Sequence, residues 1–294
     1  MLTTVLFRSA SDRVMNDLVQ KGSGRDESSR DVSLLDKVTC VFVHGWAMNG
    51  SVWESVISEL PPWIDVIQVD LPGHGSMNQV RLDTLDGMAK TLSVLVHRPV
   101  IWVGWSLGGL AVMRLCELYP ERVSAALLVA TNPCFVNRGE PGGGSARDWA
   151  HAVEQEVFDQ FAADLETDQD RTIRRFLALQ VKGQEGAIQT VRHLQRSMKQ
   201  RGLADISALR KGLDILKTAD LRQLLAECSQ TQLHWVLGDR DTLVPSSLAG
   251  VLADQFGQRD VSLYAGAGHA PFLSDPQRFI SKVVALAQGM RKNE

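Results

Sequence analysis

Apolar runs of strand length recur along the chain at residues 38–43, 64–69, 99–103, 123–130, 231–237 and 260–264. Amphipathic stretches of helical period lie between most of them, at 50–60, 82–96, 107–118, 218–226, 245–256 and 276–288. A strand that is apolar at nearly every position must be buried on both faces. The alternation therefore predicts an α/β fold, a parallel sheet with helices packed on each side. In such sheets the functional groups gather at the carboxyl ends of the strands. The alternation stops between about 134 and 214. Pro141-Gly142-Gly143-Gly144-Ser145 opens that segment, and helical patterns follow at 146–163, 168–181, 184–199 and 204–214 with no strand among them. The expectation is a core of residues 37–133 and 215–294 carrying an all-helical cap, 134–214, over the functional edge of the sheet. Residues 1–36, with a polar run from Lys21 to Arg30, read as a partly flexible N-terminal extension in which Val14 to Val19 could form a short helix.

Composition narrows the function classes. At 294 residues, 44% hydrophobic and 22% charged, the chain resembles ordinary globular proteins. A net charge of -3 argues against a general nucleic-acid binder. No apolar run approaches the roughly 20 residues that span a bilayer. Val5-Leu6-Phe7 is too short for the hydrophobic region of a signal peptide, and Arg8, Asp12 and Arg13 follow at once. Cys40, Cys116, Cys134 and Cys228 show no C-x-x-C spacing, which speaks against a zinc site or a disulfide framework. The cytoplasm is the expected compartment.

Candidate chemistry begins at Gly104-Trp105-Ser106-Leu107-Gly108-Gly109, between the apolar run 99–103 and a helical pattern. A serine on so tight a strand-to-helix turn has its hydroxyl exposed above the strand tip, as a nucleophile requires. It then needs a base, and a carboxylate to fix the base's tautomer, both after later strands in the order Ser, Asp, His. Gly238-Asp239-Arg240-Asp241 follows the run 231–237, and Gly266-Ala267-Gly268-His269 follows the run 260–264. Asp239 competes with Asp241. The latter is favoured because it lies three residues past the turn glycine and just ahead of the Val244-Pro245 helix entry. Of the seven histidines, His269 alone sits in a glycine-loosened loop past the last strand. His44-Gly45-Trp46 ends the first strand and turns backbone amides toward the site. The N–H groups of Trp46 and Leu107 form the expected oxyanion hole, each donor worth about 3–4 kcal/mol of barrier. His44 and His74 are expected to support turns rather than react.

A second signal lies in the cap. Arg171, Arg174, Arg175, Lys182, Arg192, Arg196, Lys199 and Arg201 are opposed between 171 and 201 only by Glu185. Arg192, Arg196 and Lys199 share one helix face by spacing. Such an excess on an acidic protein suits an acidic partner or an anionic substrate, although a charge run is also how a solvated face looks.

The elbow, the His-Gly turn and the order of Asp and His resemble the α/β-hydrolase superfamily. More narrowly, the chain resembles the pimeloyl-[acyl-carrier protein] methyl ester esterases of biotin synthesis. The resemblance runs over about residues 37 to 290, through His44-Gly45-Trp46, the 104–109 elbow, Asn132-Pro133-Cys134-Phe135, Arg175-Phe176-Leu177-Ala178-Leu179-Gln180, Leu213 to Thr218 and His269-Ala270-Pro271-Phe272. It implies a triad of Ser106, Asp241 and His269, and a substrate site lined by Trp46, Ser106, Leu107, Phe176, Leu177, Ala178, Leu179, Gln180 and His269. It implies carrier contacts at Arg171 and Arg175. The family offers two arginines four apart on the next cap helix, where this chain has Arg192 but Ile188. The implied partner is an acidic acyl carrier protein bearing the substrate, met by a monomer without a cofactor or metal. A broad short-chain carboxylesterase and a non-catalytic ligand-binding protein of the same fold are the alternatives.

Overall fold

A computed structural model describes residues 37–137, 139, 149–182, 184, 186–227, 232–258 and 260–291. The expected N-terminal extension, the glycine-rich entry 141–145 and Cys228 lie outside the described residues. The strands are Val38–Val43 (β1), Ile64–Val69 (β2), Val100–Trp105 (β3), Val123–Val129 (β4), Val136–Asn137 (β5), Val153–Glu154 (β6), Gln232–Gly238 (β7) and Asp260–Tyr264 (β8). Among the described residues one six-stranded sheet forms, in the order β2-β1-β3-β4-β7-β8, with every neighbouring pair parallel. The central strands β1, β3 and β4 are buried along almost their whole length, as their continuous apolar sequences require. The edge strand β2 is only partly buried between its two ends, with Asp65 exposed. After β2 the chain crosses back over β1 to reach β3, which opens a crevice between the carboxyl ends of β1 and β3.

The α-helices are Glu54–Ile57 (α1), Leu85–Ser93 (α2), Leu107–Leu118 (α3), Gln155–Thr167 (α4), Gln169–Gln180 (α5), Ala187–Gln200 (α6), Ile206–Thr218 (α7), Arg222–Glu227 (α8), Leu248–Asp254 (α9), Pro271–Ser274 (α10) and Pro276–Arg291 (α11). No described helix is long and apolar enough to cross a membrane. Several differ from the sequence expectation for local reasons. The stretch 50–60 becomes a 3-10 turn, Gly50–Trp53, followed by α1, because the Asn49 side chain accepts from Ser51 N and tightens the entry. Thr84 caps α2 through Gly87 N, so the helix begins at Leu85 rather than at 82. The first cap helix begins at Gln155, not near 146. The described residues before it, 149–154, are held by the core instead. Trp149 Nε1 donates to Asn132 Oδ1 at 3.0 Å, and Asn132 Nδ2 donates to His151 O at 2.6 Å. Helix α7 runs on to Thr218, across the expected boundary between 214 and 215.

A buried polar cluster lies just past the carboxyl ends of β1 and β2. Asp70 accepts from Gly50 N at 2.6 Å, and from Ser76 N and Ser76 Oγ at 2.9 and 2.6 Å. Burial pushes its carboxyl upward, but His44 and these hydrogen bonds outweigh burial and hold it below its ordinary value. The His44 and His74 rings lie 5.2 Å apart, both fully buried. Burial lowers both imidazoles, and with the adjacent His44 it brings His74 to about 3 from an ordinary 6.5. The unfolded chain then binds the proton more readily than the folded one. The stability His74 contributes is thus fully present above about pH 6.5 and is lost as pH falls toward 3, at up to ~1.4 kcal/mol per pH unit. His74→Asn, whose amide keeps the donor to Pro72 O, should flatten the fall of the urea midpoint between pH 6.5 and 4. A slope equal to that of the wild type would contradict this origin of acid sensitivity.

Candidate active site

The crevice between β1 and β3 holds the elbow. Ser106 stands between β3 and α3 at φ 54 and ψ -116, a backbone conformation that non-glycine residues rarely adopt. It is held there from several sides. Ser106 N donates to Val129 O at 2.9 Å, while the Thr131 hydroxyl and Gly109 N donate to Ser106 O. Its own hydroxyl caps nothing and remains for chemistry. The glycines give room for this packing. A Cβ on Gly108 would lie 2.4 Å from His44 O and 2.7 Å from Val43 O, so α3 crosses directly over the end of β1. Gly108→Ala should therefore lower the free energy of unfolding by ~2–3 kcal/mol or more, read from the urea midpoint, since rigid backbone must move to admit one methyl.

His269 completes a hydrogen-bonded line. Its Nε2 lies 2.9 Å from Ser106 Oγ, and its Nδ1 lies 2.7 Å from Asp241 Oδ2. The other oxygen of Asp241 accepts from Leu243 N at 2.8 Å and Val244 N at 3.0 Å, which fixes the carboxylate's orientation. A carboxylate only accepts, so Nδ1 carries the proton and Nε2 presents its lone pair to Ser106. The His269 and Asp241 side chains are 1% and 0% exposed, which keeps these charge-assisted bonds out of water. Trp105 Nε1 donates to His269 O at 2.7 Å and ties the histidine loop to the serine's own strand. The competing Asp239 is exposed and accepts from Gly266 N at 2.7 Å, away from the imidazole. His151 pairs with Ser247, His193 approaches Val52 O, and His234 pairs with Asp260.

The first turn faces the serine. A Cβ on Gly45 would lie 3.2 Å from Ser106 Cβ. His44 Nε2 accepts from Leu71 N at 2.9 Å, and its Nδ1 therefore donates to Gly45 O at 2.7 Å. His44 thus braces the turn and is not aimed at the serine. Neither Trp46 N nor Leu107 N finds an acceptor among the described residues, and Leu107 opens α3. Two N–H groups beside a nucleophile, one of them at a helix N-terminus, can stabilise a developing oxyanion.

The cap contributes the apolar wall. Phe176 meets the Trp46 ring edge to face at 4.9 Å, and Phe161 packs against both at 5.7 and 5.9 Å. Phe176, Leu177 and Gln180 are buried, and Leu179 is half-buried. Ala178 is exposed, because the helical repeat turns it away from the face that carries 176, 177 and 180. Ala178 is thus the one exposed member of the 176–180 lining expected from the resemblance. Phe161 belongs to no motif in the sequence, although its spacing from Phe158 and Leu165 marks the inner face of α4. Arg171, Arg174, Lys182, Arg192, Arg196 and Lys199 are exposed. Arg175 pairs with Asp164 at 2.9 Å but is 61% exposed, a pair worth about 0–1 kcal/mol and readily exchanged for another carboxylate. Arg201 differs. Its guanidinium donates to Gln68 Oε1 at 2.7 Å and lies 3.5 Å from Asp70, so it anchors the cap rather than joining the basic surface.

Comparison with known proteins places this geometry. The model of the α/β-hydrolase family matches residues 40–282. The chain is 38% identical over 248 residues to the pimeloyl-[acyl-carrier protein] methyl ester esterase of Yersinia enterocolitica, covering 84% of this chain and 92% of that one. It is 37% identical over 246 residues to the enzyme of that name from Nitrosomonas europaea, covering 84% and 94%. Among solved structures, an esterase from Exiguobacterium antarcticum superposes with a TM-score of 0.73 at 18% identity, over 86% of this chain and 92% of that one. A bromoperoxidase from Bacillus anthracis does so at 0.72 and 18%, with the same coverage. The last two speak for the fold alone. The chain belongs to the α/β-hydrolase family and, within it, to the pimeloyl-[acyl-carrier protein] methyl ester esterases.

Proposed function

We propose that this protein hydrolyses the methyl ester at the far end of a pimeloyl chain carried on an acyl carrier protein, giving pimeloyl-carrier and methanol for biotin synthesis. His269 Nε2 accepts the Ser106 proton as Oγ attacks the ester carbonyl. The N–H groups of Trp46 and Leu107 receive the oxyanion, and Asp241 stabilises the imidazolium. The tetrahedral intermediate collapses, methanol leaves with the proton from His269, and the acyl group stays on Ser106. Water, activated by the same imidazole, then attacks the acyl-enzyme and frees the carboxylate.

The observation that carries the reading is the Asp241–His269–Ser106 line beneath a cap with exposed basic helices, in a member of this esterase family. Ser106 is only 5% exposed. A carrier docked on the outer face of the cap brings the distal ester of an extended arm to a serine at that depth more easily than the thioester nearer the carrier. Arg171, Arg175 and Arg192 suit the acidic surface of such a carrier, and the protein acts as a cytoplasmic monomer. The test is kcat/KM for the pimeloyl-carrier methyl ester against the free pimeloyl methyl ester, with salt varied. The carrier-bound ester should be preferred at 50 mM salt, and the preference should shrink toward 1 M, where the screening length is ~3 Å. Arg171→Glu with Arg175→Glu should weaken it at low salt. Equal turnover of both esters at every salt concentration would favour a broad short-chain carboxylesterase.

A further inference from the structure

The cap grips both halves of the catalytic apparatus, in part through Gly212 and Gln184, which have no role in the proposed mechanism. On one side lies the oxyanion turn. Trp46 Nε1 donates to Leu209 O in α7 at 2.8 Å. One turn further along α7, a Cβ on Gly212 would lie 2.7 Å from Trp46 Cδ1, 3.2 Å from its Nε1 and 3.4 Å from Leu107 Cδ2. The helix backbone therefore rests on the side chains of Trp46 and Leu107, the two residues proposed to supply the oxyanion N–H groups. Only a residue without a side chain allows that approach.

On the other side lies the histidine loop. His269 N donates to Gln180 O, at the end of α5, at 2.8 Å. The Gln184 side chain, buried at 7% exposure, then joins three elements. Its Oε1 accepts from Gly268 N at 3.4 Å and from Ser274 Oγ in α10 at 2.9 Å, while its Nε2 donates to Thr190 Oγ1 in α6 at 2.9 Å. The backbone of Gly268 and His269 is thus hydrogen-bonded to the cap, and the core holds the same loop through Trp105 and Asp241.

We infer that Gly212 and Gln184 are positioning residues, through which the seated cap sets the oxyanion turn and the His269 loop for any ester. The cap would then be part of the hydrolytic machinery, in addition to lining the acyl site. The inference rests on the proposed roles of Ser106, His269 and the two N–H donors, but not on the carrier-bound substrate.

The test uses the full chain and p-nitrophenyl acetate, whose two-carbon acyl group needs neither the acyl wall nor the carrier surface. Active sites are counted by stoichiometric fluorophosphonate labelling, so that partial unfolding is not read as slow chemistry. Per active site, Gly212→Ala and Gln184→Met should each lose ~10–100-fold in kcat with KM within about two-fold, since a small misplacement of catalytic groups has effects of that size. Gln184→Glu keeps an acceptor for Gly268 N and Ser274, and Thr190 can turn its hydroxyl to donate; it should recover most of the rate. If Gly212→Ala does not fold, the Gln184→Met and Gln184→Glu pair decides alone. Unchanged kcat per active site in Gln184→Met, a loss confined to KM, or no recovery in Gln184→Glu would overturn the inference. A wild type that turns over p-nitrophenyl acetate but not the carrier ester would refute the substrate reading and leave this test intact.

Discussion

Ser106→Ala is expected to lower kcat on every ester by on the order of 10⁶-fold, the loss seen when the nucleophile of such a triad is removed. Oγ makes the only bond to the reacting carbon, and His269 has nothing else to deprotonate at 2.9 Å. Residual activity should come from the N–H donors and from binding alone. The substitution should leave the fold in place. The elbow is held by Ser106 N and Ser106 O, which bond to β4, Thr131 and α3, and the hydroxyl caps nothing. The unfolding free energy should therefore stay within about 1 kcal/mol of wild type. Carrier-bound ester should still bind, so the purified variant should retain it long enough for a stable complex to be measured. Activity within ten-fold of wild type would remove Ser106 from the mechanism.

Asp241→Asn carries the second-largest effect, and its cause is a tautomer rather than a lost contact. Leu243 N and Val244 N both donate to Asp241 Oδ1, so an asparagine must keep its carbonyl oxygen there. Its NH₂ then faces His269 Nδ1, which can meet a donor only as an acceptor. The imidazole proton moves to Nε2, where it points at Ser106 and cannot receive the serine's proton. The expected loss in kcat is ~10⁴-fold with little change in KM. The loss should diminish at high pH, where hydroxide can remove the serine proton without the imidazole. Full activity in Asp241→Asn, together with a loss in Asp239→Asn, would reassign the carboxylate.

Much of this site could be read from the sequence because its determinants are local. The continuous apolar runs of β1, β3 and β4 demand burial on both faces, and the glycines at 104 and 108 mark a backbone crossing that tolerates no side chain. Asp241 and His269 each follow a strand that delivers it to the same edge. The rest depends on contacts distant in sequence. Nothing near residue 149 says that Trp149 and His151 will be held by Asn132 and so delay the cap's first helix to Gln155. The cap is not all-helical as expected, because β5 and β6 pair within 134–214, but they are two residues each, too short for a period to show. Arg201 belongs to the same run of cationic residues as Arg196 and Lys199, yet it turns inward to Asp70, a partner 131 positions away. Gln184 and Gly212 look like an ordinary polar residue and a weak point in a helix until the histidine loop and Trp46 are placed against them.

The central claim is that the bond broken is the distal methyl ester and not the thioester to the carrier. The most direct measurement is the intact mass of a pimeloyl-carrier methyl ester after incubation with the wild-type enzyme, with Ser106→Ala run in parallel. The account predicts that the carrier loses the mass of one methylene, keeps its acyl arm and releases one equivalent of methanol, while the parallel sample is unchanged. A carrier that returns with its methyl ester intact, or stripped of the whole acyl group to the free thiol, would contradict it.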